Sequence, residues 1–234
     1  MNNDFENEKL INSLHWHFLS KNFALKKLLS FVHPMTAEDA DEMAHYYSQY
    51  FLGLMSAMDM LYNDPYKYWE DFRNDLAAEF VFAGFSNGLD NYGYLWELRN
   101  SIIHRGLVLA NQAVYFEENL PQIVAPATVE SKPTKKGSRQ YSAFGKYLLE
   151  IIKKCESKFG ALVANHLQKN GLLNGTPTKE ELLQAAITFL NNSGVPDFVK
   201  KQGAAQLEQI DLVAIQKSKM HEMVKLIGTD YFTA

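Results

Sequence analysis

The chain has 234 residues, of which 47% are hydrophobic, 13% aromatic and 21% charged; that is long enough for a well-buried core and unlike a disordered composition. Cys155 is the only cysteine, which excludes an internal disulfide and a cysteine-rich zinc site and points to a reducing cytoplasm. The net charge of −4 is uneven: residues 1–106 hold 8 basic and 15 acidic side chains, net −7, and residues 107–234 hold 15 and 12, net +3.

Met1-Asn2-Asn3-Asp4-Phe5-Glu6 has neither the basic start nor the apolar stretch of a signal peptide. No apolar run approaches the ~18 residues that a bilayer demands. The expectation is a soluble cytoplasmic protein with no membrane partner. Helical periodicity predicts a first helix over about Glu6 to Phe31, ending before Pro34. Thr36 with Asp39 is close to a capping box and opens a second helix to Tyr62. Asp64-Pro65 suits a restart, with Asp at the cap and Pro in the first turn. A third helix then carries Trp69, Phe72, Leu76, Phe80 and Phe85 until Ser86-Asn87-Gly88 breaks it. A fourth, shorter helix holds Leu95, Trp96, Leu98, Ile102 and Ile103 and ends at Gly106.

The next stretch changes character. Residues 107–116 read as two short strands around Asn111-Gln112, and residues 122–125 add a possible third. Residues 131–139 read as a polar, basic loop or linker. Between Ser131 and Lys158 there are 8 basic and 2 acidic residues. A polyanion would meet Lys132, Lys135, Lys136 and Arg139 there, with Arg105 close by; a solvated linker and helix face is the competing reading. A long amphipathic helix follows from about Ser142 to Asn170, with Phe144, Leu148, Cys155, Phe159 and His166 on its stripe. Thr178 with Glu181 is a capping box for a short helix to about Asn191, and one or two more helices reach Ile227. The fold class is therefore all-α with a small β excursion. Residues 1–106 form a helical bundle, 107–141 a β-hairpin and basic linker, and 142–234 a C-terminal helical region that packs on or extends the bundle.

The segment richest in chemistry is Arg99-Asn100-Ser101-Ile102-Ile103-His104-Arg105-Gly106. On a helical wheel Arg99 falls inside the apolar face formed by Leu95, Leu98, Ile102 and Ile103. A charge in that position is costly unless paired or at an interface, and Glu79, Asp90 or another core-facing acid is a candidate partner. A guanidinium also matches phosphate oxygens in a two-pronged way. Five steps of ~100° put His104 about 140° from Arg99, so the two do not converge on one straight helix. They meet on one phosphate only if the helix loosens near Gly106 or if a second copy packs across a two-fold axis. Asn100 lies one turn before His104 and could hold one ring nitrogen. The plain alternative is a helix end: cations favour a last turn and glycine the position beyond it.

This segment, with Leu95-Trp96-Glu97-Leu98 before it, resembles the Arg-x4–6-His signature of the HEPN superfamily (higher eukaryotes and prokaryotes nucleotide-binding). The likeness covers roughly Thr36 to Phe116. It implies a helical bundle that dimerises, with the arginine and histidine of both copies on one cleft. It also implies, for many members, metal-independent endoribonuclease activity in toxin–antitoxin or phage-defence settings, with no metal or cofactor. A branch of the family carries a tyrosine two positions after the histidine; Gly106 stands there, which argues against that branch and its usual antitoxin.

On this reading Arg99, Asn100 and His104 are the catalytic residues. The ribose 2′-OH attacks the adjacent phosphorus and expels the 5′-oxygen, His104 moves a proton, and Arg99 stabilises charge on the phosphate oxygens. Histidine suits that role because its charge changes near neutral pH. RNA is the expected substrate, and a second copy, with a cognate antitoxin or regulatory protein, the expected partner. The alternatives are a non-catalytic HEPN-like module that dimerises and binds nucleotide, RNA or protein, and a plain helical interaction protein that buries Arg99 against an acid of its own chain. His15-Trp16-His17 diverges on a helix and is a poor metal pair. His45 and His166 read as core or boundary residues, and Tyr46, Tyr47, Tyr50, Tyr62, Tyr66 and Tyr68 as core packing rather than a base-stacking platform.

Overall fold

The structure is a computed structural model that describes residues 3–64, 66–85, 87–105, 107, 109, 114–117, 120–133, 137–173, 178–229 and 231–232. The described residues form eight helices and two small β-hairpins, so the fold is all-α with a small β insertion. None of the helices is long and apolar enough to cross a membrane.

Helices α1 (Asn3–Leu28) and α2 (Ala37–Tyr62) pack along one another. Thr36 and Asp39 form the full reciprocal capping box at the start of α2. Tyr47, Tyr50, Phe51, Leu54, Met55 and Met58 of α2 are buried, as are Leu14, Phe18 and Leu25 of α1. Of the six tyrosines, Tyr47 and Tyr50 lie in the core and the others pack against it. His45 is exposed.

Helix α3 (Trp69–Glu79) is shorter than the periodicity predicts. The chain leaves it at Phe80, then turns through Gly84, whose φ of +84° lies in the left-handed region open to glycine. Phe82 and Phe85 pair as an isolated bridge. The turn gathers Phe80, Phe82 and Phe85 around Phe144, a cluster that one continuous helix would scatter. Asn87 and Gly88 are not a break but the start of α4 (Gly88–His104). The Asn87 side chain accepts a hydrogen bond from the Leu89 N–H, satisfying one free donor of the first turn. Gly88 is required by proximity: a Cβ there would lie 2.0 Å from the Leu76 carbonyl oxygen.

Strands β1 (Val114–Glu117) and β2 (Leu120–Ile123) form one antiparallel hairpin. The predicted turn at Asn111-Gln112 lies outside the described residues, and the third predicted strand is β2, shifted two residues earlier. The basic segment 131–139 is not an interdomain linker. It connects β3 (Thr128–Glu130) to β4 (Gln140–Ser142), which pair as the second hairpin against α4.

Helix α5 (Leu148–Lys169) starts six residues later than expected. The backbone before it is committed elsewhere: Ala143 N–H donates to Ala127, Ala125 N–H donates to Lys146, and Tyr147 bridges Val124. α5 belongs to the core, with Ile151, Ile152, Cys155, Phe159, Val163 and Leu167 buried against α3 and α8. Helices α6 (Lys179–Asn192) and α7 (Asp197–Leu207) pair with each other, and α8 (Leu212–Ile227) returns to α1 and α5. The Thr178–Glu181 capping box opens α6.

Candidate functional site

The predicted site residues sit on the last turns of α4. Leu95 and Leu98 face the core, Trp96 and Ile102 are half-buried, and Ile103 is 42% exposed. The apolar face is thus narrower at the end of the helix than the wheel suggests. Tyr92, Tyr94 and Asn91 fill the earlier part of it.

Arg99 is 15% exposed and paired within its own chain. Its Nη2 donates to Asp59 Oδ2 on α2 at 3.2 Å. The guanidinium lies 4.4 Å from the centre of the Trp96 ring, a favourable cation–π arrangement. Asp59 Oδ1 accepts a hydrogen bond from the Tyr92 hydroxyl at 3.0 Å. Neither Glu79 nor Asp90 is the partner; Asp90 pairs with Arg139 instead. Arg99 Nε is buried without an acceptor. Nη1 makes no hydrogen bond with a described residue. Burial pushes the Asp59 carboxyl up to about 6, against the opposing pull of the Tyr92 hydrogen bond and the Arg99 charge.

Asn100 is half-exposed and His104 exposed, and neither side chain makes a hydrogen bond with a described residue. The Asn100 amide does not hold the His104 ring. His104 ends the helix and Arg105 is its cap, donating its backbone N–H to the Ser101 carbonyl.

The predicted basic surface is only partly free. Arg105 donates from Nη2 to Glu97 Oε2 at 2.5 Å and from Nη1 to the Glu130 carbonyl. Arg139 is paired with Asp90 and stacked on Tyr141, 5.1 Å away. Lys132 is exposed and bonded to no described residue. Lys135, Lys136 and Gly106 lie outside the described residues. Arg105 and Lys132 share an open cleft of about 580 Å³ with Ser101, Leu107, Thr128 and Val129. The cleft places two of the predicted binding residues beside the end of α4.

Two further polar clusters were not legible as sites. His166 is buried, with Nε2 2.8 Å from the Tyr66 hydroxyl and Nδ1 3.2 Å from Asp75 Oδ2. Burial lowers its pKa, favouring the neutral ring that this bonding suits. Lys21 and Glu156 form the second cluster, deep between α1 and α5. The signal for Asp59 was present in the sequence: it is a lone acid in the apolar run Met58-Asp59-Met60-Leu61. Among the described residues, no group of three or more His, Cys, Asp or Glu side chains is placed to hold a metal. Comparison with family models, with curated proteins and with solved structures returns no match.

Proposed function

We propose that this chain is a HEPN-like, metal-independent endoribonuclease whose active site is completed by a second copy of itself. The observation that carries the reading is that His104 and Asn100, at the end of α4, are bonded to no described residue. His104 is exposed and Asn100 half-exposed one turn before it, and Arg99 beside them is 15% exposed with one nitrogen, Nη2, on Asp59. Arg99 and His104 point about 140° apart on a helix, so two copies of α4 crossing on a two-fold axis bring each arginine towards the partner's histidine. Two histidines then supply one base and one acid for 2′-OH attack, and arginine stabilises the charge that builds on the phosphate. The cleft beside Arg105 and Lys132 would receive the neighbouring nucleotide. A bacterial defence or toxin–antitoxin role follows from the same resemblance.

The test is cleavage of single-stranded RNA by the purified chain in the presence of a chelator. The expected products carry 2′,3′-cyclic phosphate, DNA is inert, and His104→Ala loses about 10²–10⁴-fold in rate. A His104→Ala protein that cuts at the wild-type rate, or activity that vanishes with the chelator, would sink the reading. The second reading is a non-catalytic HEPN-like module. It is favoured by the net −7 of residues 1–106, because a strong non-specific RNA binder is more basic; the Arg99–Asp59 pair within a single chain is instead what a plain helical interaction protein predicts, since it gives the arginine a structural task. An inert chain that still binds RNA or nucleotide in an Arg99-dependent way would establish it.

A further inference from the structure

The ion pair that holds Arg99 is built to be weak. Arginine meets a carboxylate best through two parallel N–H bonds. Here Asp59 divides itself: Oδ2 takes Nη2 of Arg99 at 3.2 Å, while Oδ1 is held by the Tyr92 hydroxyl at 3.0 Å. The adjacent donor, Arg99 Nε, is left buried with no acceptor. Trp96 meanwhile keeps the guanidinium in place without neutralising it, since a ring face carries no net charge.

We propose that Asp59 is an internal counter-ion that competes with a phosphate diester for Arg99, and that Tyr92 keeps this competition loose. The inference rests on the reading of Arg99 as a phosphate ligand and adds what sets its affinity. A carboxylate beside the guanidinium cancels its charge and repels an incoming phosphate. Displacing or protonating Asp59 frees Nη2 alongside Nη1, giving the two-pronged edge that a phosphate fits. Tyr92 and Arg99 are the groups that touch the Asp59 carboxylate from α4; Tyr62 of α2 stacks on Tyr92 at 4.4 Å, and Arg73 of α3 lies 4.9 Å from the Tyr62 ring. The raised carboxyl of Asp59 places its protonation near pH 6. Phosphate binding therefore strengthens as pH falls through that value and weakens as it rises.

The experiment measures binding of a fluorescent 2′-O-methyl RNA, which cannot be cleaved because it lacks the nucleophile. The full-length chain carries His104→Ala, which takes that imidazole out of the comparison. Adding Asp59→Asn is expected to tighten binding roughly five-fold above pH 6 and to remove the corresponding part of the pH dependence. Adding Tyr92→Phe instead frees Oδ1 for Arg99 and is expected to weaken binding well above pH 6, where Asp59 stays ionised without the Tyr92 hydrogen bond. If Arg99→Ala weakens binding but Asp59→Asn leaves it unchanged or lowers it, the counter-ion role falls and the site stands. If Arg99→Ala leaves binding unchanged, Arg99 is not a phosphate ligand and both fall.

Discussion

Lys21 is 2% exposed, in the middle of α1, and carries a charge that burial disfavours. Its ammonium bonds both oxygens of Glu156 at 2.7 and 2.8 Å and Asn22 Oδ1 at 2.7 Å, which uses all three of its donors. Tyr50 donates a further hydrogen bond to Glu156 at 2.6 Å. Such a pair gives little net stability when intact, because desolvation offsets the attraction, but removing one partner strands a buried charge. Lys21→Met is therefore expected to cost about 3–5 kcal/mol in urea unfolding. Lys21→Met with Glu156→Gln, which removes both charges, should recover part of that loss. A single variant as stable as the wild-type chain would show that Glu156 finds water or another cation. The contrast with Asp59 is instructive. Both acids are partly or wholly removed from water, yet Glu156 accepts three hydrogen bonds, two from Lys21 and one from Tyr50, whereas Asp59 shares one weak contact with Arg99 and one hydrogen bond with Tyr92. The first arrangement fixes a fold, and the second leaves a guanidinium available.

The elements that local chemistry dictates were legible. Thr36 with Asp39 and Thr178 with Glu181 each satisfy one another within four residues, so a sequence window contains the whole interaction. What failed to read was whatever depends on distant partners. Phe80–Phe85 continues a helical pattern, but tertiary contact with Phe144 unwinds it. Residues 142–147 fit the stripe of α5, but their backbone is bonded to the strand region across the turn. Arg99 is an anomaly in the sequence and Asp59 a lone acid in an apolar run, but no local window joins two residues 40 positions apart. Gly88 belongs to the same class. Its propensity marks the break between the third and fourth helices, yet Gly88 itself is the first residue of α4, where α3 and α4 touch. Alanine is about 1 kcal/mol better than glycine in a free helix, so propensity alone predicts that Gly88→Ala stabilises. The close approach of the Leu76 carbonyl, 2.0 Å from the new methyl, predicts the opposite. Overpacking of this kind typically costs about 1–3 kcal/mol, and thermal unfolding should show a lower midpoint. An unchanged or raised midpoint would mean that the corner between α3 and α4 opens without penalty.

At the scale of the whole molecule, order along the chain and depth in the fold part company after α5. Helix α6 buries Leu182 alone, α7 buries no residue, and Phe189 and Phe198 are 75% and 71% exposed. Helix α8 comes later in sequence but is held more deeply. Met223 and Ile227 enter the core, Asn22 on α1 donates to the Leu226 carbonyl at 3.1 Å, and Lys219 reaches Asn12 at 3.3 Å. A region with few buried apolar contacts opens at low free energy, while one tied into the core opens only with it. Amide hydrogen exchange followed by mass spectrometry should therefore find α6 and α7 exchanging first, with α8 protected alongside α1 and α5. If α8 exchanged together with α6 and α7, the C-terminal helices would be one loosely attached unit. Of the early-opening pair α6 packs on α8, and α4 is anchored by α2, α3 and the β3–β4 hairpin instead. Disturbing α6 and α7, for example by Leu182→Ala, should thus accelerate exchange there and leave the amides of α4 as protected as before, keeping the end that carries Arg99 and His104 in place.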